Sequence, residues 1–561
     1  SDVCSSDLPR GGSNPGHATP PARAARGRVC LVAAEGVAEN PFSATERGTS
    51  PMPNTDRSDP PGLEEPSNAA ADGIRSDLQQ RLTPLDLLRG FALCGILLMN
   101  VTTFAWPEAA YTSVSHPYYA LDSIGPVADP IDEAKAISKE EKGLPWLERE
   151  RRRRERERAP KPAYPLGVVR LCAVSGEADL WEFAVADLLV DNKMRTLFSM
   201  LFGAGVVLLA GTPRPRGPGP AWMHYRRMAW LLVIGALHGY LLWRGDILFA
   251  YASVGLWLYP LRNLPVPRLL AVGVGLFILP LVLAWFGPWI ADWIDGRGRA
   301  VAARVDAVLA ASAPATAEDG DEHAGAAASD TPGWIDRAFL SGHRGLAAMR
   351  RRQARPELAT LEIRRHAEEG YLAGVTKRFR ELIGPQAGML LLGFLGLGWP
   401  MVIGMALFKS GFLGGSWSTR EYGLWAAALF AAGLAATWCA LMVSLAGASF
   451  PVRLRLVLPL ELAGSFALAL SYAAALLWAW RGNRLGILER PLVAAGRMAL
   501  SNYLCQTLVC TLLFAGFGLG LYGTLPRTAL AAIVGTIWLV QLAWSPWWLS
   551  RFRLGPVEWA W

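Results

Sequence analysis

The chain has 561 residues, of which 52% are hydrophobic and 18% are charged, and 23 of them are tryptophan. Its long apolar runs with almost no charge exclude a soluble enzyme, which would show polar faces throughout, and predict a polytopic membrane protein. The formal net charge of +8 does not indicate nucleic acid, because the basic residues lie in short tracts between apolar runs, where they set membrane topology. We therefore expect the lipid bilayer as a partner.

The seven cysteines are scattered along the chain, with no CxxC pair and no spacing typical of metal ligands. Four of them lie within apolar runs, where cysteine is usually a small packing residue. The sequence therefore predicts no metal site, and we expect no tightly bound cofactor.

Residues 1–80 are rich in proline, glycine, serine, alanine and arginine, which predicts a disordered or artefactual N-terminal tail. Order is expected to begin at Arg81. Thr83 can cap a helix, Pro84 suits its first position, and Asp86 follows at the third position, much as in a capping box.

Ten apolar runs follow, most of them near the about 20 residues that a bilayer requires. The predicted fold class is therefore all-α, a polytopic integral membrane bundle of about ten transmembrane helices. The predicted spans are 85–105, 194–211, 225–243, 246–262, 268–291, 384–408, 422–445, 456–480, 494–518 and 528–549.

The distribution of positive charge predicts the orientation of this bundle. If the N-terminus is cytoplasmic, the inner connections carry more arginine and lysine than the short outer connections do. The positive-inside rule therefore favours both termini in the cytoplasm. That orientation places His238 and Asp246 toward the outer face.

Composition divides the chain into four regions. An unbroken run of glutamate and arginine, Glu148–Arg158, is predicted to be solvated or disordered. The regions are the tail 1–80, an N-terminal five-helix membrane region 81–292 with a charged insert near 124–180, an extracytoplasmic loop 293–383 ending in an amphipathic helix, and a C-terminal five-helix membrane domain 384–561.

His238 is the single histidine, of seven, that falls inside an apolar run of membrane length. An ionisable group is costly to bury in hydrocarbon, so such a residue is a functional candidate by default. Imidazole can also exchange a proton near neutral pH. Gly235 and Gly239 flank it at a spacing that lets another element approach closely. The alternative is a histidine that merely bonds a neighbouring helix.

Asp246 follows His238 after the short turn Arg244-Gly245, and its carboxylate has two possible roles. A carboxylate at a helix N-terminus is a favourable cap. A carboxylate beside a histidine can also orient the imidazole and stabilise its protonated form. Arg244 could instead pair with Asp246 and leave the histidine without that partner.

Polar residues also enter the membrane from the predicted inner side. Arg89 and Arg497 each lie inside a predicted span, and Asn502 and Gln506 continue along one face of the ninth span at i, i+4 spacing. Guanidinium groups match phosphate oxygens in a bidentate manner, so these arginines are candidates for binding a phosphorylated ligand.

Several stretches resemble the YeiB-type family of bacterial inner-membrane proteins and, in the C-terminal half, its domain of unknown function 418. The resemblance implies a multi-pass protein of the bacterial inner membrane. The stretches are Arg81–Val101, Lys193–Gly205, His238–Tyr251, Glu362–Arg378, Gly404–Met405, Gly496–Gln506 and Phe552–Trp559.

The opening pattern Leu-Asp-x-x-Arg-Gly, at residues 85–90, is similar to that of the heparan glucosaminide N-acetyltransferase group in the transmembrane acyltransferase superfamily. Those enzymes carry acyl groups from cytoplasmic acyl-CoA to sugars on the far side and use an intramembrane histidine. The resemblance implies that His238 is a general base or acyl carrier, with Asp246 as the first partner to test. It also implies that Arg89 and Arg497 contact phosphates of acyl-CoA as a co-substrate, with Asn502 and Gln506 alongside.

Three functions remain open on these observations. The first is an acyl-CoA-dependent O- or N-acyltransferase with an extracytoplasmic glycan or lipid acceptor. The second is a proton-coupled transporter or permease of a small solute, in which His238 and Asp246 relay the proton. The third is a membrane assembly factor without catalysis. The oligomeric state stays open.

Overall fold

The computed structural model describes residues 68–107, 140–158, 177–211, 219–311, 332–352, 357–446 and 448–560. Every regular element in these ranges is helical, so the predicted all-α class is confirmed. Two π-helical turns, His238–Leu242 and Arg453–Val457, and one 3₁₀ turn, Gly486–Leu488, interrupt or link the α-helices.

The α-helices form one series along the chain. In order they are α1 (Asn68–Ala105), α2 (Trp146–Arg158), α3 (Glu177–Leu189), α4 (Lys193–Gly211), α5 (Pro220–Leu237), α6 (Leu248–Leu261), α7 (Val266–Ala311), α8 (Trp334–Arg352), α9 (Glu357–Glu368), α10 (Tyr371–Lys409), α11 (Thr419–Leu445), α12 (Phe450–Val452), α13 (Leu458–Arg481), α14 (Glu489–Arg497), α15 (Ala499–Phe514), α16 (Arg527–Leu549) and α17 (Pro556–Ala560).

Seven helical segments of the described residues are long and apolar enough to cross a membrane, which confirms the membrane bundle. The remaining three predicted spans are also helical. Two of them, α6 and α15, are apolar but shorter, and α5 carries Arg226 and Arg227 in its first half. The total of about ten spans and the cytoplasmic termini therefore stay predictions. The seven segments are Thr83–Ala105, Trp181–Gly211, Val266–Ala310, Tyr371–Lys409, Thr419–Ser444, Arg453–Arg481 and Arg527–Leu549.

The first helix begins earlier than the sequence predicts. Helix α1 starts at Asn68 and runs through Pro84, so Thr83 does not cap it and Pro84 does not occupy its first turn. The residues before Arg81 include alanine, leucine, glutamine and arginine, which propagate a helix readily from the apolar segment. The rest of the predicted tail, 1–67, lies outside the described residues.

Helix α7 extends far beyond the length that a bilayer needs. Its 46 residues span roughly 69 Å at 1.5 Å per residue, against a hydrocarbon core of about 30 Å. Residues 293–311, predicted as the beginning of a loop, are therefore helical. Val301 and Val305 of this extension pack against Leu340 of α8 in a small apolar core.

The charged insert is partly ordered by the same core. Trp146, at the start of α2, packs against it. Glu150 is 3% exposed, and its carboxylate binds the guanidinium groups of Arg154 and Arg344. The predicted disorder of Glu148–Arg158 is therefore wrong, because one face of this helix carries an apolar anchor and a doubly paired carboxylate. The predicted solvation holds for Glu148, Arg151 and Arg152, whose side chains are 35%, 36% and 38% exposed.

Glycines bring the central helices into backbone contact. A Cβ atom added at Gly203 of α4 would overlap the backbone carbonyl of Met401 in α10, and one at Gly404 of α10 would overlap Met200 of α4. Such small-residue contacts replace the missing hydrophobic driving force between helices in lipid. They fix α4 against α10 in the middle of the bundle.

Candidate functional site

The segment between α5 and α6 places His238 and Asp246 side by side. Helix α5 passes at His238 into the π-helical turn His238–Leu242, a distortion that is frequent at functional sites. A Cβ atom at Gly235 would overlap the backbone nitrogen of Phe249, and Gly239 faces the Leu382 side chain. The predicted close approach at these glycines is confirmed.

Asp246 caps helix α6 and contacts His238 at the same time. Its Oδ1 atom lies 2.8 Å from Nδ1 of His238 and accepts the backbone N–H of Leu248 at 3.1 Å. Its Oδ2 atom accepts the backbone N–H of Phe249 at 2.7 Å. The predicted cap is therefore confirmed and the contact with the imidazole is present, while a functional role of Asp246 stays a prediction. Within the described residues no ion pair joins Arg244 to Asp246.

Thr507 of α15 completes the group on the other side of the imidazole. Its Oγ1 atom lies 3.0 Å from Nε2 of His238. Thr507 and His238 are 1% and 3% exposed. The sequence prediction missed Thr507 because it lies 269 residues from His238. A weak signal was present, since Thr507 and Thr511 continue the series of polar residues that Ser501, Asn502 and Gln506 begin in α15.

The hydrogen bonds define which atoms donate. An ionised carboxylate can only accept, and the two oxygens of Asp246 already face two backbone N–H groups. The Nδ1 atom of His238 therefore carries a proton and donates it to Asp246. In the neutral imidazole Nε2 is then an acceptor, so the Thr507 hydroxyl donates to it. The order carboxylate–imidazole–hydroxyl is that of an activated hydroxyl nucleophile.

A cavity of about 100 Å³, here called the Trp243 cleft, is lined by Trp243 and Thr511 but by none of Asp246, His238 and Thr507. Phe104 stacks on Trp243 with ring centroids 4.1 Å apart, and the rings of Trp243 and His238 are nearly perpendicular with centroids 6.4 Å apart. Trp243 therefore belongs to the wall of the cleft and also contacts the imidazole. Charged residues of both signs line the cleft, namely Arg244, Glu362, Glu369, Lys377, Arg378 and Glu381.

Most of the charged side chains in the Trp243 cleft have hydrogen-bond or ion-pair partners, whereas the Thr511 hydroxyl has none among the described residues. Lys377 pairs with Glu369 at 3.7 Å. Arg378 donates to the carbonyls of Tyr240 and Leu241, at the end of the π-helical turn. The Thr511 hydroxyl is buried at the cleft and has no hydrogen-bond partner among the described residues. A buried hydroxyl of this kind needs a water or a ligand as its partner.

His366 of α9 lies in the cleft wall as a neutral imidazole. Its ring stacks on Tyr522 with centroids 4.0 Å apart and an interplanar angle of 9°. Burial lowers the pKa of His366 to about 4, and the positive charges of Lys377 and Arg244 add to this shift. His366 therefore carries no charge at neutral pH.

This shift predicts that the folded protein loses stability in mild acid. An unfolded histidine has a pKa of about 6.5, so between pH 6.5 and 4 the unfolded chain binds more protons than the folded chain. The stabilisation is present above pH 6.5 and is lost as the pH falls towards 4. We expect the thermal unfolding midpoint to be lower at pH 5 than at pH 7. The difference should be smaller in His366→Phe, which keeps the stacking on Tyr522. An equal fall in both proteins contradicts the prediction.

The two predicted phosphate-binding arginines lie near one carboxylate, at what is here called the arginine end of the bundle. Nη1 of Arg89 lies 2.8 Å from Oδ1 of Asp86, and the charge of Arg497 also acts on Asp86. Arg497 in addition donates to the Arg553 carbonyl at 3.2 Å.

Asn502 and Gln506 use their amides in contacts between α15 and α16. Asn502 donates to the Ser545 hydroxyl at 3.0 Å, and Gln506 donates to the Gln541 side chain at 2.8 Å. Interhelical hydrogen bonds of this kind hold membrane helices together. A cofactor contact by either residue stays a prediction, as does one by Arg89 or Arg497.

Comparison with known proteins identifies relatives of this chain. Residues 407–561 match the family model described as "Protein of unknown function (DUF418)". The chain is 29% identical over 499 residues to the uncharacterized protein YeiB of Escherichia coli strain K12, which covers 86% of this chain and 95% of YeiB. It is 25% identical over 488 residues to the uncharacterized protein YxaH of Bacillus subtilis strain 168, with 86% and 93% covered. No solved structure matches the chain. These matches support the YeiB-type family that the resemblance predicted, and they place a DUF418 domain in the C-terminal part of the chain.

Proposed function

We propose that this protein is a transmembrane acyltransferase of the bacterial inner membrane. It moves an acyl group from cytoplasmic acyl-CoA to an extracytoplasmic glycan or lipid acceptor. The observation that carries the proposal is the buried array of Asp246, His238 and Thr507 beside the Trp243 cleft. Hydroxyl, imidazole and carboxylate groups in this order transfer acyl groups in unrelated folds.

His238 is the general base in this reaction. Its Nε2 atom takes the proton of a hydroxyl or amine as that group attacks the acyl carbonyl, a role typically worth about 10²–10⁴-fold in rate. Asp246 holds the proton on Nδ1 and stabilises the imidazolium that forms. The low exposure of both side chains strengthens this electrostatic interaction, because few water molecules screen it.

In this proposal the arginine end of the bundle binds acyl-CoA and the Trp243 cleft at the other end binds the acceptor. The arginine end faces the cytoplasm, where Arg89 and Arg497 bind phosphates of acyl-CoA in place of their present contacts with Asp86 and the Arg553 carbonyl. The Trp243 cleft faces outward and receives the acceptor. This orientation follows from the positive-inside rule, with both termini in the cytoplasm.

The test is transfer of a labelled acyl group by the purified full-length protein. Radiolabelled acetyl-CoA and, separately, palmitoyl-CoA are supplied with an extract of bacterial membrane lipids and glycans. We expect label in the extract with the unchanged protein and its loss with His238→Ala. The matched control is His343→Ala, because His343 also contacts an aspartate, Asp295 at 2.6 Å, but lies in the α7–α8 region away from the triad.

The outcome also separates the competing functions. If no acceptor is labelled in a His238-dependent manner, acyl transfer is overturned. Proton flux across vesicles that requires His238 and a solute gradient then supports the proton-coupled transporter, for which a buried His–Asp pair is a suitable relay. If His238→Ala lowers only stability, the protein is an assembly factor.

A further inference from the structure

We propose that Thr507 is a further catalytic residue, whose hydroxyl accepts the acyl group before the acceptor does. The inference rests on the proposed acyl transfer and deepens it, because it gives the reaction a covalent intermediate. It follows from the contact between Thr507 Oγ1 and His238 Nε2 at 3.0 Å.

The direction of the Thr507 hydroxyl is the first argument. Threonines inside helices commonly donate to the carbonyl four residues earlier. In this protein Thr196, Thr376, Thr437 and Thr536 all do so. Within the described part of the chain, the hydrogen bond recorded for the Thr507 hydroxyl is the one to His238. The hydroxyl therefore points at a base instead of at its own helix.

The second argument is the carboxylate behind the imidazole. A hydrogen bond that only joins α15 to the π-helical turn needs no third group. Here Asp246 holds the proton on Nδ1 of His238, which leaves Nε2 free to accept the Thr507 proton. Three groups in this order activate a hydroxyl that is otherwise a weak nucleophile.

The third argument is the position of Thr507 relative to the cleft. Thr511 lies one turn further along the same face of α15, lines the Trp243 cleft and has a buried hydroxyl without a partner among the described residues. An acceptor hydroxyl bound to Thr511 is therefore about one helical turn, 5–6 Å, from Thr507. The unpartnered hydroxyl thus marks a polar position between the cleft and the triad.

A covalent carrier also suits the separation of the two substrates. The donor enters from the arginine end and the acceptor from the cleft, whose wall includes Trp243, the ring that contacts His238. With the acyl group held on Thr507, the donor and acceptor need not occupy the site together.

The chemistry balances in two steps. In the first, Thr507 Oγ1 attacks the thioester carbonyl of acyl-CoA, so a C–O bond forms and the C–S bond breaks. The hydroxyl proton passes to His238 Nε2 and then to the leaving thiolate, which departs as the free thiol. In the second, the acceptor hydroxyl attacks the threonyl ester, its proton passes through Nε2 to Thr507 Oγ1, and the acyl group moves to the acceptor. No oxidant or reductant is required.

The test is to trap the acyl-protein. The full-length protein is incubated with radiolabelled acetyl-CoA or palmitoyl-CoA without acceptor, denatured, digested and mapped by mass spectrometry. We expect a hydroxylamine-labile ester on Thr507 in the unchanged protein and on the serine of Thr507→Ser. Label is expected to be absent from Thr507→Val, whose transfer falls at least about 10³-fold, as for other hydroxyl nucleophiles of this kind.

Controls separate this inference from the proposed function. Thr437→Val removes another buried threonine, one that bonds to its own helix, and should keep both labelling and transfer. His238-dependent transfer by Thr507→Val, or unlabelled Thr507 in a protein that transfers normally, overturns the carrier and leaves acyl transfer intact. Absence of all transfer by the unchanged protein overturns the proposed function, and the carrier with it.

Discussion

Replacing Asp246 by asparagine should lower the rate of acyl transfer by about 10⁴-fold. An aspartate-to-asparagine change in a Ser-His-Asp triad has an effect of this size, because it imposes the wrong histidine tautomer. An asparagine oxygen can still accept from the backbone N–H of Phe249 and cap α6. Its NH₂ group then faces Nδ1 of His238 and makes that nitrogen an acceptor. The proton moves to Nε2, which can no longer accept from Thr507.

The measurement is the transfer rate, taken together with the thermal unfolding midpoint. Asp246→Asn should lose transfer and keep the half of the cap made to Phe249, whereas Asp246→Ala should lose the whole cap, at a cost of about 1 kcal/mol in unfolding free energy. Asp295→Asn is the control, since it alters the other His–Asp contact and should leave transfer unchanged. Normal transfer by Asp246→Asn would show that this carboxylate acts as a cap alone.

The largest effect on stability is expected from Gly404→Val. The added side chain would overlap the backbone of Met200, which cannot move without shifting α4. Overpacking of this kind typically lowers the free energy of unfolding by about 1–3 kcal/mol and sometimes more. Overlap with a backbone should give a loss at the upper end of that range. We expect a lower thermal unfolding midpoint in detergent and loss of acyl transfer with it.

Gly396→Val on the same helix is the matched control. A Cβ atom at Gly396 meets nothing within 4 Å, so the valine points into open space and should leave the midpoint nearly unchanged. The two variants add the same atoms to α10, so their difference isolates the contact with α4. Equal midpoints would contradict the close packing of these helices.

The candidate site divides into a part that the sequence predicted and a part that it did not. The contact between His238 and Asp246 was one of two alternatives that the sequence left open, because the two residues are eight positions apart across a tight turn and Arg244 could have paired with Asp246 instead. Thr507 was not, because its contact depends on how α15 packs against the π-helical turn. Asn502 and Gln506 were recognised as intramembrane polar residues, but their direction towards α16 depends on the rotation of α15.

The same distinction holds for the fold. The all-α class and the membrane bundle follow from apolar runs, because a backbone in lipid must satisfy its own hydrogen bonds within each helix. The early start of α1 and the order of α2 do not follow from composition. Helix α2 is ordered because Trp146 and Glu150 find partners in α7 and α8, far along the chain.

The sequence by itself determined the membrane class and the helical character of the apolar runs, and it named His238 and Asp246 as a possible local pair. These are set by hydrophobicity and by short-range geometry, which act within a few residues. Only the tertiary structure decided that a threonine from the C-terminal domain meets the imidazole, that a cleft opens beside it, and that the two arginines lie near Asp86. The physical reason is that helix rotation and pairing are set by packing between distant segments, including backbone contacts at glycine.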